Sequence, residues 1–200
     1  CRKLGFKFLS YDMNMSEYVI EDNFFIHELE KSKQNILQTW DDGVDIESTK
    51  KQLGRDWFIN VRKEKGLFLN CLKTNELPEK FDYSKRNIVV FNSSLDEFES
   101  FSGWKGDIYK NEVEALSRIM ENFKNDKEFI FYLRVHPNLK NLDNAQIKDL
   151  KNLESMNYRN LKIIWPEETV DSYKLMEACE KIIVFLSTLG IESCFWNKPS

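Results

Sequence analysis

The chain has 200 residues, 42% of them hydrophobic and 31% charged, which is enough to bury a core and corresponds to one domain or slightly more. Its net charge of −4 argues against a protein that coats nucleic acid, because such surfaces are usually basic. The four cysteines are scattered, which argues against a disulfide scaffold and favours the cytoplasm. Two histidines are too few for a His-rich metal site. No apolar run approaches the roughly 20 residues that a membrane span needs, which argues against a transmembrane protein.

The first part of the chain has a mainly helical pattern. Residues 4–11 alternate loosely and fit a short strand, whereas apolar residues recur at helical spacing over 23–40 and 48–61. Residues 63–80 are irregular, and residues 70–85 are interpreted as a linker or domain boundary. We therefore predict that residues 1–80 are the tail of an amino-terminal domain with its interdomain connection, and that residues 81–200 form a second domain. The chain opens without Met and closes where a further strand is expected, so we interpret it as a fragment.

From Arg86 onwards, short apolar runs alternate with helical patterns. Strands are predicted at 87–92, 128–135, 161–165 and 181–186, and helices at 108–124, 143–157, 171–178 and 191–197. Asp171 is the expected N-cap of the third helix. Such alternation is typical of an α/β fold with a Rossmann-like parallel sheet flanked by helices and joined by right-handed crossovers.

Ligands of such sheets bind at the carboxyl ends of the strands, which selects the candidate residues. Ser94, Asp96 and Glu97 follow the first strand, and Arg134 and His136 follow the second. An Arg and a His at one edge suit an anionic ligand. The alternatives are an Arg paired with a nearby carboxylate, a turn histidine that bonds a carbonyl, and acidic residues that cap a helix.

The last twenty residues, KIIVFLSTLGIESCFWNKPS, read as a buried strand, a small polar turn and a helix. Hydroxyls of Ser187 and Thr188 before a helix N-terminus can bind phosphate, with Gly190 in the same turn. Glu192 lies one turn later and would suit neutral hydroxyls such as a ribose diol. An ordinary strand–turn–helix unit, with a first-turn Glu that favours the helix dipole, is the alternative, since neither common phosphate-loop pattern is present.

The ordered motifs R-x-H-P, D-S-Y-x-L-M and S-T-x-G-I-E-x-x-x-W-x-K-P, together with NIVVFNSSLDEF, resemble the carboxyl-terminal half of GT-B-type bacterial glycosyltransferases of capsule and surface-polysaccharide biosynthesis. The resemblance covers about residues 87–200 and is weaker over 11–65. It implies two Rossmann-like domains, with a nucleotide-sugar bound to the second in the cleft between them. The implied donor-binding residues are Arg134, His136, Ser187, Thr188, Gly190 and Glu192, and the implied cleft-lining residues are Ser94, Asp96 and Glu97.

Within this resemblance, Arg134 and His136 face the donor phosphates, Gly190 allows close approach and Glu192 holds the ribose. The family generally needs no bound metal or other cofactor, because positive groups and a helix N-terminus neutralise the departing diphosphate. The catalytic base comes from the amino-terminal domain and cannot be named here. The fragment alone is therefore predicted to be inactive.

The implied acceptor is a glycan or a lipid-linked glycan, and the implied location is the cytoplasm, with peripheral association at the inner face of the membrane. Neither nucleic acid nor a membrane span is expected. Two alternatives keep the same fold. One is a polyol-phosphate or sugar-phosphate transferase, or a UDP-sugar epimerase-like enzyme. The other is a non-catalytic α/β module that binds a protein or glycan partner.

Overall fold

The computed structural model describes residues 10–12, 17–19, 29–43, 47–63, 74–95 and 108–200. The chain forms two compact units, Cys1–Gln52 and Leu53–Ser200. In the first unit, strand β1 (Ser10–Asp12) pairs antiparallel with β2 (Glu17–Val19), and helix α1 (Leu29–Asp42) follows. Helix α2 (Glu47–Lys63) begins in this unit. The strand predicted over 4–11 and the helix predicted over 23–40 lie partly outside the described residues.

The second unit contains a four-stranded sheet in which every strand pair is parallel. Its strands are β3 (Arg86–Phe91), β4 (Phe129–Arg134), β5 (Leu161–Ile164) and β6 (Lys181–Val184), in the order β5-β4-β3-β6. Residues 87–91 of the central strand β3 are all buried, as the continuous apolar run indicated.

Helices cover both faces of this sheet: α3 (Glu112–Phe123), α4 (Ala145–Ser155), α5 (Ser172–Ala178) and α6 (Leu189–Phe195). Successive residues of β3 enter different clusters, because strand side chains alternate between faces. Val90 packs with the apolar sides of α3 and α4, whereas Val89 packs with α5. The predicted Rossmann-like parallel sheet flanked by helices is confirmed.

The predicted element boundaries differ from the observed ones at the helix starts. Helix α3 begins at Glu112 rather than at residue 108, because Asn111 is the N-cap and its side chain accepts a hydrogen bond from the Glu114 N–H. Asp171 caps α5 as predicted, accepting hydrogen bonds from the N–H groups of Tyr173 and Lys174. Helix α6 starts at Leu189, two residues earlier than expected.

The second half of α2 packs on the last two helices of this unit. The rings of Phe58 and Phe195 stack with their centroids 4.5 Å apart. Arg62 forms an ion pair with Glu177 on α5, and its guanidinium lies over the ring of Trp196, 4.7 Å from the centroid. These contacts hold the second half of α2 against α5 and α6. The polar turn after β6 leads directly into α6.

Candidate functional site

The strand order defines a crevice at the carboxyl edge of the sheet. From β3 the chain moves outward to β4 and β5 and then returns to β6 on the other side of β3. The order therefore reverses between β3 and β6, which is the switch point at which open α/β sheets bind ligands. Phe91 pairs with Val184, so the loops after β3 and β6 leave the sheet side by side at this point. We call this place the switch-point crevice.

The turn after β6 carries hydroxyls and one unusual backbone conformation. Leu186 has a φ of 50° and is 57% exposed, although leucine rarely adopts the left-handed region. The Ser187 hydroxyl accepts a hydrogen bond from the Leu189 N–H at 3.3 Å. Thr188 is the exposed N-cap residue of α6, and its side chain makes no capping hydrogen bond. This hydroxyl is thus available at the crevice.

Gly190 has a packing role that the sequence did not indicate. A Cβ at this position would lie 2.8 Å from Cγ2 of Val184 on β6. Real Cβ atoms do not make contacts that short, so the glycine lets α6 lie close against β6, the strand that precedes it. The resemblance implied that Gly190 allows a ligand to approach; the close approach seen here is between a helix and a strand.

Arg134 lies at the end of β4 and is 4% exposed. Its Nη1 donates to the carbonyl of Trp165 at 2.6 Å, and Nη2 lies 3.4 Å from the carbonyl of Glu168. Both acceptors belong to the loop after β5. The guanidinium therefore holds this loop, and neither the phosphate role nor the carboxylate pairing considered from the sequence describes these two contacts.

His136 links the loops after β3 and β4. Its backbone N–H donates to Oδ1 of Asn92 at 2.8 Å, and its backbone is extended (φ −57°, ψ 133°), as the following Pro137 requires. The ring Nδ1 accepts from the Asn138 N–H at 3.2 Å. This bond places the proton of the neutral imidazole on Nε2 of the half-buried ring.

Glu192 lies in the first turn of α6 and is 3% exposed. Its Oε2 accepts a hydrogen bond from the hydroxyl of Tyr173 on α5. The carboxylate therefore already has a protein hydroxyl as its partner. A ribose at this place would have to share the carboxylate with Tyr173 or replace it.

The cleft-lining residues are only partly described. Ser94 follows β3 and is 1% exposed. Asp96 and Glu97 lie outside the described residues, so the structure does not place them.

A cluster of buried polar side chains beside the loop after β3 was not predicted from the sequence. Glu112, at the start of α3, is 7% exposed. Its Oε1 accepts from the Ser93 N–H at 3.1 Å and from the Ser93 hydroxyl, and Oε2 lies 3.3 Å from the same N–H. Burial raises the pKa of Glu112 to about 7, although hydrogen bonds from Ser93 and Asn92 oppose the rise.

Gln146, on α4, completes this group from the other side. Its Nε2 donates to the Ser93 carbonyl at 2.8 Å, and its Oε1 accepts from the Leu95 N–H at 3.0 Å. The N-cap signature at Asn111 could have revealed Glu112, because a helix starting there brings residue 112 next to the end of β3.

A shallow groove of about 270 Å³ lies between α3 and α4, with Asn111, Glu114, Asp149 and Met156 among its lining residues. We call it the α3–α4 groove. Within the described ranges, no group of three or more His, Cys, Asp or Glu side chains could hold a metal ion. No helix in the same ranges is long and apolar enough to cross a membrane.

Comparison with protein-family models, with curated proteins and with solved structures found no match to this chain. The strand order, the two loops and the partners of their side chains therefore carry the functional interpretation.

Proposed function

We propose that the unit Leu53–Ser200 binds the nucleotide-sugar donor of a glycosyltransferase that acts in bacterial capsule or surface-polysaccharide synthesis. The observation that carries the proposal is the switch point between β3 and β6, where the loops after the two strands leave the sheet side by side. Nucleotides bind at such points in open α/β sheets. The resemblance of the motifs adds the donor class and an acceptor that is a glycan or lipid-linked glycan at the inner face of the membrane.

The contacts favour a different role for each of the proposed donor-binding residues. Thr188 offers an exposed hydroxyl at the start of α6 that can donate to a diphosphate, and the His136 ring, whose proton lies on Nε2, would add a second contact at the end of β4. Arg134 already donates to the carbonyls of the loop after β5, so its contribution is to hold that loop and to supply a positive charge nearby. Glu192 accepts from Tyr173 and would meet only uncharged parts of the donor.

The test is a binding screen of UDP-, CDP-, CMP-, GDP- and ADP-linked ligands by thermal shift and calorimetry. We expect one nucleotide class to stabilise the protein, and we expect Thr188→Val and His136→Ala to weaken its binding. Thr49→Val is the matched control, because Thr49 is an exposed threonine on α2 that belongs to the other unit, Cys1–Gln52. Equal binding by all three variants would contradict the proposed site. Glu192→Ala is a poor probe, because it also removes the partner of a buried tyrosine hydroxyl.

A non-catalytic α/β binding module is the second candidate. The observation in its favour is that two residues with expected donor contacts, Arg134 and Glu192, are buried and bonded to groups of the protein itself. A module of this kind would keep the fold and show no stabilisation by any nucleotide in the screen. The donor-binding proposal predicts selective stabilisation, so the same experiment separates the two.

A further inference from the structure

The buried group formed by Glu112, Ser93, Gln146 and Asn92 has no part in the donor contacts described above. All four side chains are less than 10% exposed. They lie where the chain leaves the central strand β3, beside the switch-point crevice. Burying an ionisable carboxylate among neutral groups is unfavourable unless the group is well bonded, so its place here calls for a physical reason.

The contacts of Ser93 and Leu95 with this group hold residues 93–95, which begin the loop after β3. Ser93 is bonded through its N–H and its hydroxyl to Glu112, and through its carbonyl to Gln146. Leu95 is bonded through its N–H to Gln146. The backbone of residues 93–95 is therefore held by side chains from two helices, α3 and α4.

The same network extends to the neighbouring strand. Oδ1 of Asn92 accepts the backbone N–H of His136, so the loops after β3 and β4 are joined. The Asn92 side chain also forms a hydrogen bond that lowers the pKa of Glu112, so one amide connects Glu112 with the loop after β4.

We propose that Glu112 is a positioning residue for the ligand of the switch-point crevice, which holds residues 93–95 in the conformation that nucleotide binding requires. The inference rests on the proposed nucleotide site. Glu112 acts through Ser93 and does not itself contact the ligand. The essential feature is the acceptor Oε1, which takes both Ser93 donors.

The test uses two substitutions that separate the acceptor from the charge. Glu112→Gln keeps an oxygen in place of Oε1 and removes the charge, whereas Glu112→Met has a similar shape and no acceptor of comparable strength. We expect Glu112→Met to bind the nucleotide identified in the screen roughly tenfold more weakly, which corresponds to the loss of about one hydrogen bond. Glu112→Gln and the control Glu114→Met, a half-buried residue two positions along the same helix that pairs with Arg118, should bind within about twofold of wild type.

Amide hydrogen exchange supplies a readout that does not depend on any ligand. In Glu112→Met we expect faster exchange at the N–H groups of Ser93 and Leu95, with the amides of β3 unchanged. Gln146→Met should produce the same local effect and serves as the second variant if Glu112→Met does not fold. Unchanged exchange at both amides overturns the positioning role, as does wild-type affinity in Glu112→Met or equal loss in Glu112→Gln. Absence of nucleotide binding by the wild-type chain overturns the proposed function itself and, with it, the assignment of this loop to a nucleotide.

Discussion

Glu112 gives the most specific prediction for stability, because burial raises its pKa from 4.5 to about 7 in the folded chain. A carboxyl group whose pKa is higher in the folded than in the unfolded protein binds its proton more tightly in the folded state, so its protonation stabilises the fold. Its contribution to stability is therefore complete below about pH 4.5 and is lost as the pH rises through about 7. At 1.36 kcal/mol per pKa unit, the loss amounts to about 3 kcal/mol.

The assay is urea unfolding of the wild-type protein and of Glu112→Gln, followed by tryptophan fluorescence across this pH range. Glutamine does not titrate, and all other groups cancel in the difference between the two proteins. We expect the free energy of unfolding of wild type relative to Glu112→Gln to fall by about 3 kcal/mol from about pH 4 to about pH 8.

Glu114 is the matched control, because it is a first-turn glutamate of the same helix in the opposite situation. The Lys110 N–H and the Arg118 guanidinium lower its pKa. Its contribution is therefore present above its ordinary pKa and is lost as the pH falls, so the difference curve for Glu114→Gln should slope the other way. A flat curve for Glu112→Gln, or curves of the same sign for both variants, would refute the reasoning about burial.

Four further predictions concern the local backbone at single positions, and each is checked by urea unfolding. Gly190→Ala places a Cβ 2.8 Å from Val184 Cγ2 and should cost about 1–3 kcal/mol. The cost should shrink in a Val184→Ala background; an equal cost in both backgrounds would count against the contact. A Cβ at position 54 would have no neighbour within 4 Å, so Gly54→Ala should instead stabilise α2 by about 0.5–1 kcal/mol. Leu186→Gly should be more stable than Leu186→Ala by about 1 kcal/mol, because only glycine adopts a φ of 50° without strain, and equal stability would contradict this. Asp171→Ala removes the cap of α5 and should cost about 1 kcal/mol, whereas Asp171→Asn should retain most of the stability.

The sheet could be predicted from the sequence because its signal is local. Four apolar runs separated by helical periodicities specify parallel strands, and all four strands were located to within two residues at each end. The strand order could not be predicted, because it depends on which strands pair across the chain. The switch point between β3 and β6 therefore became visible only in the structure.

The candidate site shows the same division between local and long-range information. The extended backbone at His136 follows from a local signal, the next residue Pro137. The partners of Arg134 and Glu192 are 31 and 19 residues away, and no sequence pattern specifies them. Gly190 is required by a side chain on the preceding strand, which a search for ligand-binding glycines does not consider.

NMR chemical-shift mapping with UDP, CDP, GDP and ADP would show whether a nucleotide binds in the switch-point crevice. We expect one nucleotide to shift the amide signals of residues 92–95 and 186–190 together, because the two loops leave the sheet side by side. Signals from the α3–α4 groove should stay in place. Shifts confined to that groove, or no shifts with any of the four nucleotides, would contradict the proposed nucleotide site.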